Sequence, residues 1–256
     1  MQNVLFFGRM DAAELVFYIF VAFFIGLVIW LRREDRREGY PLEMDVGGAL
    51  LRNDGLLQTA LPKTFHLPFG QGTVVQPNDE RDPVDVPNAR RTAKWAGSSI
   101  EPIGDGIGAG IGPGAYAQRS DFADVSHDGN PRIIPIGPAE MTVATQDADP
   151  RGMAMLGADY AEVGKVTDIW VDRSEMLIRY LEVGIGKSSV LVPMTMVLVD
   201  GRKKSVYCSA LNASQFAGCP GIKTGGQITR LEEEKIIGYF GSGYLYATPE
   251  RAEPLI

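Results

Sequence analysis

The stretch LVFYIFVAFFIGLVIWL, Leu15 to Leu31, runs for 17 residues without a charge. No other feature restricts the folding options as strongly, because an apolar run of that length requires a bilayer or a large protein interior. With Ala12, Ala13 and Glu14 it reaches 20 residues, about 30 Å of helix at 1.5 Å per residue, which matches one bilayer crossing. Thirteen of the 17 residues are Leu, Ile, Val or Phe. At about −0.3 to −0.6 kcal/mol each, these favour insertion by roughly 4 to 8 kcal/mol. Glu14 sits at the end of the span, at headgroup level. A cleaved signal peptide carries basic residues before its apolar core and small residues after it; here Arg9 alone precedes and WLRRE follows. A core helix this long shows a polar stripe, whereas this run is apolar all round apart from Tyr18 and Gly26. The expectation is a transmembrane helix over residues 12–31.

Arg32, Arg33, Arg36 and Arg37 follow at once in WLRREDRREGYPLE. Opposed across the span by Arg9 alone, they place the C-terminal bulk in the cytoplasm and residues 1–11 outside, by the positive-inside rule. Their spacing also predicts four guanidinium groups on one flank of a continuing helix, at phosphate depth, where with Tyr40 they form a candidate site for anionic lipid. A purely topogenic role for the same arginines stays open.

The chain as a whole is acidic, with net charge −7 and pI near 5.0. Its soluble part has no basic stripe, which argues against nucleic acid as a partner. Cys208 and Cys219 lack metal or redox spacing and are read as reduced thiols. Residues 32–150 are rich in Pro, Gly and Asp without a helical period, as expected of an extended segment with loops lying on the membrane surface. Within it, GDGIGAGIGPGAY, Gly104 to Tyr116, puts Ala109 or Ile111 where a phosphate loop needs its third glycine, and no strand precedes it. It is expected to be a flexible surface loop. Residues 151–256 read as a separate domain, in which alternating apolar runs broken by DRSE, GIGKSS and DGRKKS predict the antiparallel strands of a small barrel or strongly bent sheet. ITRLEEEKIIGYF, Ile228 to Phe240, predicts a short helix ending before Gly241, with an irregular tail after it.

His66 and His127 are the only histidines, and no hydrolase, metalloprotease or paired-cysteine pattern is present. The chain is therefore not expected to be an enzyme. Carboxylates remain: Asp121, Asp124 and Asp128 surround His127, while Asp168, Asp172 and Glu175 cluster near Arg179. Such groups usually form a solvated face. Partly buried and close together, they raise one another's proton affinity and can pass protons.

Several stretches, in order along essentially the whole chain, resemble the H subunit of the purple-bacterial photosynthetic reaction centre. They are LRREDRREGYPLE after the single span, PKTFHLPFGQGTV at 62–74, GIGPGAYAQR at 110–119, DPRGM at 149–153, VTDIWVDRSE at 166–175, RYLEV at 179–183, SQFAGCP at 214–220, and LEEEKIIGYFGSGYLYATPERAEPLI to the end. The resemblance implies one membrane helix in the bacterial inner membrane, a periplasmic N-terminus, and a mainly β cytoplasmic domain on the PRC barrel with a short C-terminal helix. It implies an accessory subunit that caps the L and M subunits, stabilises the complex and furnishes part of the proton path to the secondary quinone. No cofactor is expected on this chain; bacteriochlorophyll, bacteriopheophytin, quinones and non-haem iron belong to the partner subunits. A cytochrome subunit and light-harvesting antenna are further implied neighbours. Asp172, Glu175 and the adjacent Arg179 match the family's proton-path positions, and Asp124 and His127 fall in the segment that resembles its proton uptake point. There the family commonly carries two histidines; this chain has His127, with Asp128 beside it. Phe69 likewise stands where a histidine is common. A membrane-tethered PRC-barrel adaptor is the alternative reading.

Overall fold

The computed structural model describes residues 5–7, 10–40, 42–44, 50–51, 58–78, 88–95 and 97–252. Arg9 and residues 253–256 of the tail lie outside the described residues. Contacts group the chain into two compact units, Met1–Arg81 and Asp82–Ile256.

In the first unit, β1 (Leu5–Phe7) pairs antiparallel with β2 (Met10–Asp11), which runs into α1 (Ala12–Glu34). Asp11 caps α1, its carboxylate accepting the Glu14 N–H at 2.8 Å and satisfying one of the helix's unpaired donors. None of the residues of α1 is buried. Phe17, Phe20, Phe23 and Phe24 are all more than half exposed, on a helix whose most apolar window has a mean hydropathy of 2.5. A core helix would be covered by its own protein. This one is bare on every side, as a helix solvated by lipid must be.

The helix stops at Glu34, and Asp35 closes it by donating its N–H to Leu31 O at 2.9 Å. Arg36 and Arg37 therefore lie beyond it, which corrects the expectation of four arginines on one helical flank. Arg32 pairs with Asp35 at 2.8 Å, and the Arg36 guanidinium lies 5.3 Å from the centre of the Tyr40 ring. Two short strands follow, β3 (Leu42–Glu43) and β4 (Leu50–Leu51), and then the hairpin of β5 (Lys63–His66) and β6 (Thr73–Gln76). Arg37 ties the helix end to this hairpin. Its guanidinium donates to Glu34 at 2.8 and 2.9 Å, to Leu61 O at 2.7 Å and to Gln76 O at 2.9 Å, so it is occupied within the protein.

The second unit opens with the hairpin of β7 (Ala89–Arg91) and β8 (Ile100–Pro102). Its main sheet has seven strands: β9 (Ile133–Pro135), β10 (Ala154–Leu156), β11 (Glu162–Asp172), β12 (Leu177–Ile185), β13 (Ser188–Pro193), β14 (Val197–Asp200) and β15 (Ser205–Cys208). The order is β13-β12-β11-β10-β15-β14, with β9 alongside β11. DRSE, GIGKSS and DGRKKS contain the turns between paired strands, with Met176, Gly186 and Lys204 at positive φ (57°, 61° and 53°). One pairing departs from the all-antiparallel expectation, because β10 and β15 run parallel.

The end strands β13 and β14 are consecutive in the chain, linked by the single 3-10 turn Met194–Met196. That link spans at most about 15 Å at 3.8 Å per residue. Six flat strands spaced by about 4.8 Å would hold their outer members roughly 24 Å apart. The sheet must therefore curl until its ends nearly meet. Among the described residues no ladder joins β13 to β14, so the sheet is strongly curled but not closed into a barrel. Both faces are covered: Ile169 and Leu181 lie on one side of the β11–β12 pair and Trp170 and Tyr180 on the other, and these four and Met155 are all 2% exposed or less. Cys208 and Cys219 are buried, free thiols.

The C-terminal helix α2 (Arg230–Tyr246) begins at a capping box, in which Thr229 accepts the Glu232 N–H and Glu232 accepts the Thr229 N–H. Burial of Glu232 thus serves the cap. The helix runs six residues past the expected end at Phe240, because Gly241 is a packing residue here and not a stop. A Cβ on Gly238 or Gly241 would stand 2.8 Å from the carbonyl oxygen of Gly114 or Pro113, respectively. The Gly104–Tyr116 segment is consequently no flexible loop: Ile107 and Ile111 are buried and Gly114 lies against α2. Phe240 in turn meets Phe216 edge-on at 5.5 Å.

Gly238→Ala should destabilise the protein by about 1–3 kcal/mol through overpacking, despite the roughly 1 kcal/mol that alanine gains in a helix interior. A thermal melt higher than that of the parent would show that α2 can lift off the glycine turn at no cost.

Candidate functional site

Asp172 ends β11 and is 1% exposed. Its Oδ1 accepts the backbone N–H groups of Ser174 and Glu175 at 2.8 and 3.0 Å, which folds DRSE back on itself. Its other oxygen takes Nη2 of Arg132 at 2.7 Å. The register Ile133↔Asp172 between β9 and β11 delivers that arginine, and the Arg173 N–H donates to Arg132 O at 3.0 Å beside it. From this position Arg132 holds three carboxylates: Asp172, Glu175 at 3.0 Å through Nη2, and Asp124 at 2.8 Å through Nη1.

Asp124 has a second cation, Arg230 at the start of α2, at 2.8 Å. Burial is the largest single influence on the Asp124 carboxyl and pushes its pKa upward. The Arg230 hydrogen bond and the charges of Arg230 and Arg132 together outweigh it, so Asp124 lies below the ordinary carboxylate value. Glu175 is half exposed and lies 3.7 Å from Arg179, whose other terminal nitrogen is 3.7 Å from Glu233. Glu233 shifts in the opposite direction to Asp124. Burial raises its pKa, and the hydrogen bond from Tyr180 OH at 3.1 Å and the charge of Arg179 only partly offset this. Tyr180 is itself pushed up, first by burial and then by the Glu233 charge, and so remains a donor.

The structure thus brings Asp124, Asp172, Glu175 and Arg179 into one network and adds Arg132, Arg230 and Glu233, which the sequence reading did not single out. Arg132 stands 40 residues from Asp172; the only trace it leaves is the lone cation that opens RIIPI. Glu233 sits in a run of three acids, readable as a helix start, and its burial is a tertiary property. His127 and Asp128 lie to one side. His127 is exposed. Asp128 is held well below the ordinary carboxylate range by the Ser126 and Asn130 hydrogen bonds, and its nearest cation is Arg173 at 3.9 Å. Asp121 pairs with Lys223 and accepts from Thr229, and Asp168 accepts the N–H of Ile169.

Acidic, neutral-leaning and half-exposed carboxylates linked by guanidinium groups make a site for holding and passing protons, with the arginines fixing geometry and never themselves giving up a proton. Comparison with protein families gives two matches. Residues 4–138 match the photosynthetic reaction centre H-chain N-terminal region, which covers more than half of the 256 residues. The chain belongs to the reaction centre H-chain family. Residues 144–215 match the PRC-barrel domain, the stretch that contains β10 to β15. As an H-chain family member it is a subunit of a membrane-associated photosynthetic complex and associates with other reaction centre subunits. The network crosses both matched regions: Asp124 and Arg132 lie in the first, Asp172, Glu175 and Arg179 in the second, and Arg230 and Glu233 beyond both.

Arg132→Met should cost about 3 kcal/mol in denaturant unfolding, because it leaves the Asp172 charge buried without its cation. Asp172→Asn in the same background should recover part of that. If nothing is recovered, the cost lies in lost packing. A second expectation concerns pH. Glu233 has a folded pKa above the ordinary 4.5, so the native state binds this proton more tightly than the unfolded state. Stability therefore falls as pH rises from about 4.5 through the raised value. Glu233→Gln should be more stable than the parent near pH 7, with the gain vanishing below about pH 4; parallel stability profiles across that range would contradict the assignment.

Proposed function

We propose that this chain caps the cytoplasmic side of the L and M subunits as a non-catalytic accessory subunit and relays protons from the cytoplasm toward the secondary quinone. The observation that carries this reading is the Arg132 bridge, which joins the buried Asp172 to the half-exposed Glu175 and to Asp124 at 2.7 to 3.0 Å. Protons enter near His127 and Asp128, reach Asp124, and pass by way of water to Glu175 and Asp172. Arg132 and Arg179 keep the carboxylates close to one another. Glu233, the group shifted toward neutrality, serves as a proton store at the edge of this path.

The remaining assignments follow from the same reading. Bacteriochlorophyll, bacteriopheophytin, quinones and non-haem iron are carried by the partners, and this chain contributes shielding from bulk water. The bulk of the chain is cytoplasmic, the N-terminus periplasmic, and the cytochrome subunit and antenna are neighbours in the membrane. Arg32, Arg33 and Arg36, with Tyr40, meet anionic lipid at the helix exit; Arg37 donates to Glu34, Leu61 and Gln76.

A quinone that gains two electrons in a protein interior must also gain protons, since an uncompensated buried anion is strongly disfavoured. In complexes carrying Glu175→Gln, the proton-coupled second electron transfer should slow while the first is nearly unchanged, and a diffusible weak acid should partly restore the rate. Flash-induced absorbance kinetics read both steps. Normal assembly with a parental second transfer across the neutral range would remove Glu175 from the path. Recovery of the full-length chain without pigment-bearing subunits would instead remove the capping role.

A further inference from the structure

Away from the carboxylate network, the β7–β8 hairpin carries chemistry that nothing above uses. From Ala89 to Ile100 the sequence ARRTAKWAGSSI holds Arg90, Arg91 and Lys94 and no acid, in a chain of net charge −7. The strands pair through Ala89↔Pro102, Arg90↔Glu101 and Arg91↔Ile100. The tip is held by its own backbone: the Thr92 N–H donates to Ser99 O at 2.9 Å, and the Ser98 N–H to Trp95 O at 3.2 Å. Ser98, 7% exposed, adds a hydroxyl bond to Ala93 O at 2.9 Å. This turn thrusts Trp95 outward at 64% exposure, with Ile100 and Ile103 also about half exposed. Arg90 is taken by Glu101 at 2.6 Å; Arg91 and Lys94 have no ion pair among the described residues.

An indole and two cations without an ion pair among the described residues, near the tip of a hairpin, match the layered chemistry of a lipid headgroup region. Indole partitions to that boundary because its body is apolar and its N–H polar. Lysine and arginine gain by standing at anionic phosphates. The same polypeptide carries α1, so its encounter with a bilayer is intramolecular and takes place at high effective lipid concentration. We propose that the β7–β8 tip is a second membrane contact, which seats Trp95 at the headgroup boundary of an anionic bilayer with Arg91 and Lys94 on lipid phosphates. It is separate from the arginines at the helix exit and independent of the proton relay. Charge selects the occupant, since Arg91 and Lys94, without an ion pair among the described residues, favour a surface of phosphates over a neutral one.

The test uses the full-length chain in nanodiscs of phosphatidylcholine, alone or mixed with phosphatidylglycerol, with brominated acyl chains as quencher. Subtracting the fluorescence of Trp95→Phe from that of the parent removes Trp30 and Trp170 and leaves the Trp95 signal. In mixed discs that signal should be blue-shifted and quenched, and in neutral discs it should be neither. Arg91→Gln with Lys94→Gln should lower the docked-to-free ratio about thirtyfold, which abolishes the quenching. A Trp95 signal unquenched in both lipids, or quenched equally in both, overturns the proposal. So does cross-linking of Lys94 to a protein subunit in the assembled complex, which would assign the hairpin to a protein interface. The lipid comparison on the parent chain stands even if a variant misfolds.

Discussion

A carboxylate that is 1% exposed cannot remain charged without a cation and donors around it, and Asp172 has all of them. Meeting that requirement organises this end of the molecule. The two backbone donors shape the turn between β11 and β12. The Arg132 bond holds the strand β9 against β11, and the remaining nitrogen of Arg132 draws in Asp124. Asp124 in turn engages Arg230 at the first turn of α2. A single buried charge thus couples the sheet, the segment before it and the C-terminal helix.

The rest of the second unit follows from two close approaches. The sheet curls because its outer strands are joined by one 3-10 turn, and the helix seats because glycines let it touch the backbone of the Gly112–Gly114 turn. Both devices serve the network indirectly. Curling places Tyr180, on β12, beneath α2, where its hydroxyl reaches Glu233, and the seated helix keeps Glu233 out of water. The raised proton affinity of Glu233 is therefore a product of packing as much as of charge.

Different parts of this arrangement were legible in the sequence to different degrees, for physical reasons. The membrane helix was readable because the choice between lipid and water depends on side chains alone. The strands between Glu162 and Cys208 were readable because a half-buried sheet alternates with a period of two, and DRSE announced its own turn. Glycine was the main source of error. In Gly104–Tyr116 it suggested freedom and at Gly241 a helix end, whereas in both places it permits close contact. Arg36 and Arg37 were placed on the helix by spacing alone, and the capture of Arg37 by carbonyls from Leu61 and Gln76 has no local signature. Asp172, Glu175 and Arg179 could be found because they share one turn and strand. Arg132 and Glu233 could not, because their partners are distant in sequence and their roles depend on burial.

The separation of those partners bears on how the protein is made. Asp124 and Arg230 are 106 residues apart, and the parallel pairing of β10 with β15 joins Ala154 to Ser205. A chain emerging from the ribosome inserts α1 early, yet it cannot complete its sheet until β15 has appeared, and Asp124 lacks its second cation until α2 follows. Contacts of such long range form slowly, because loop-closure entropy must be overcome before they contribute. The nascent chain is thus tethered to the membrane well before its carboxylates have found their arginines, and the completed charge network marks a chain that has been translated as far as α2.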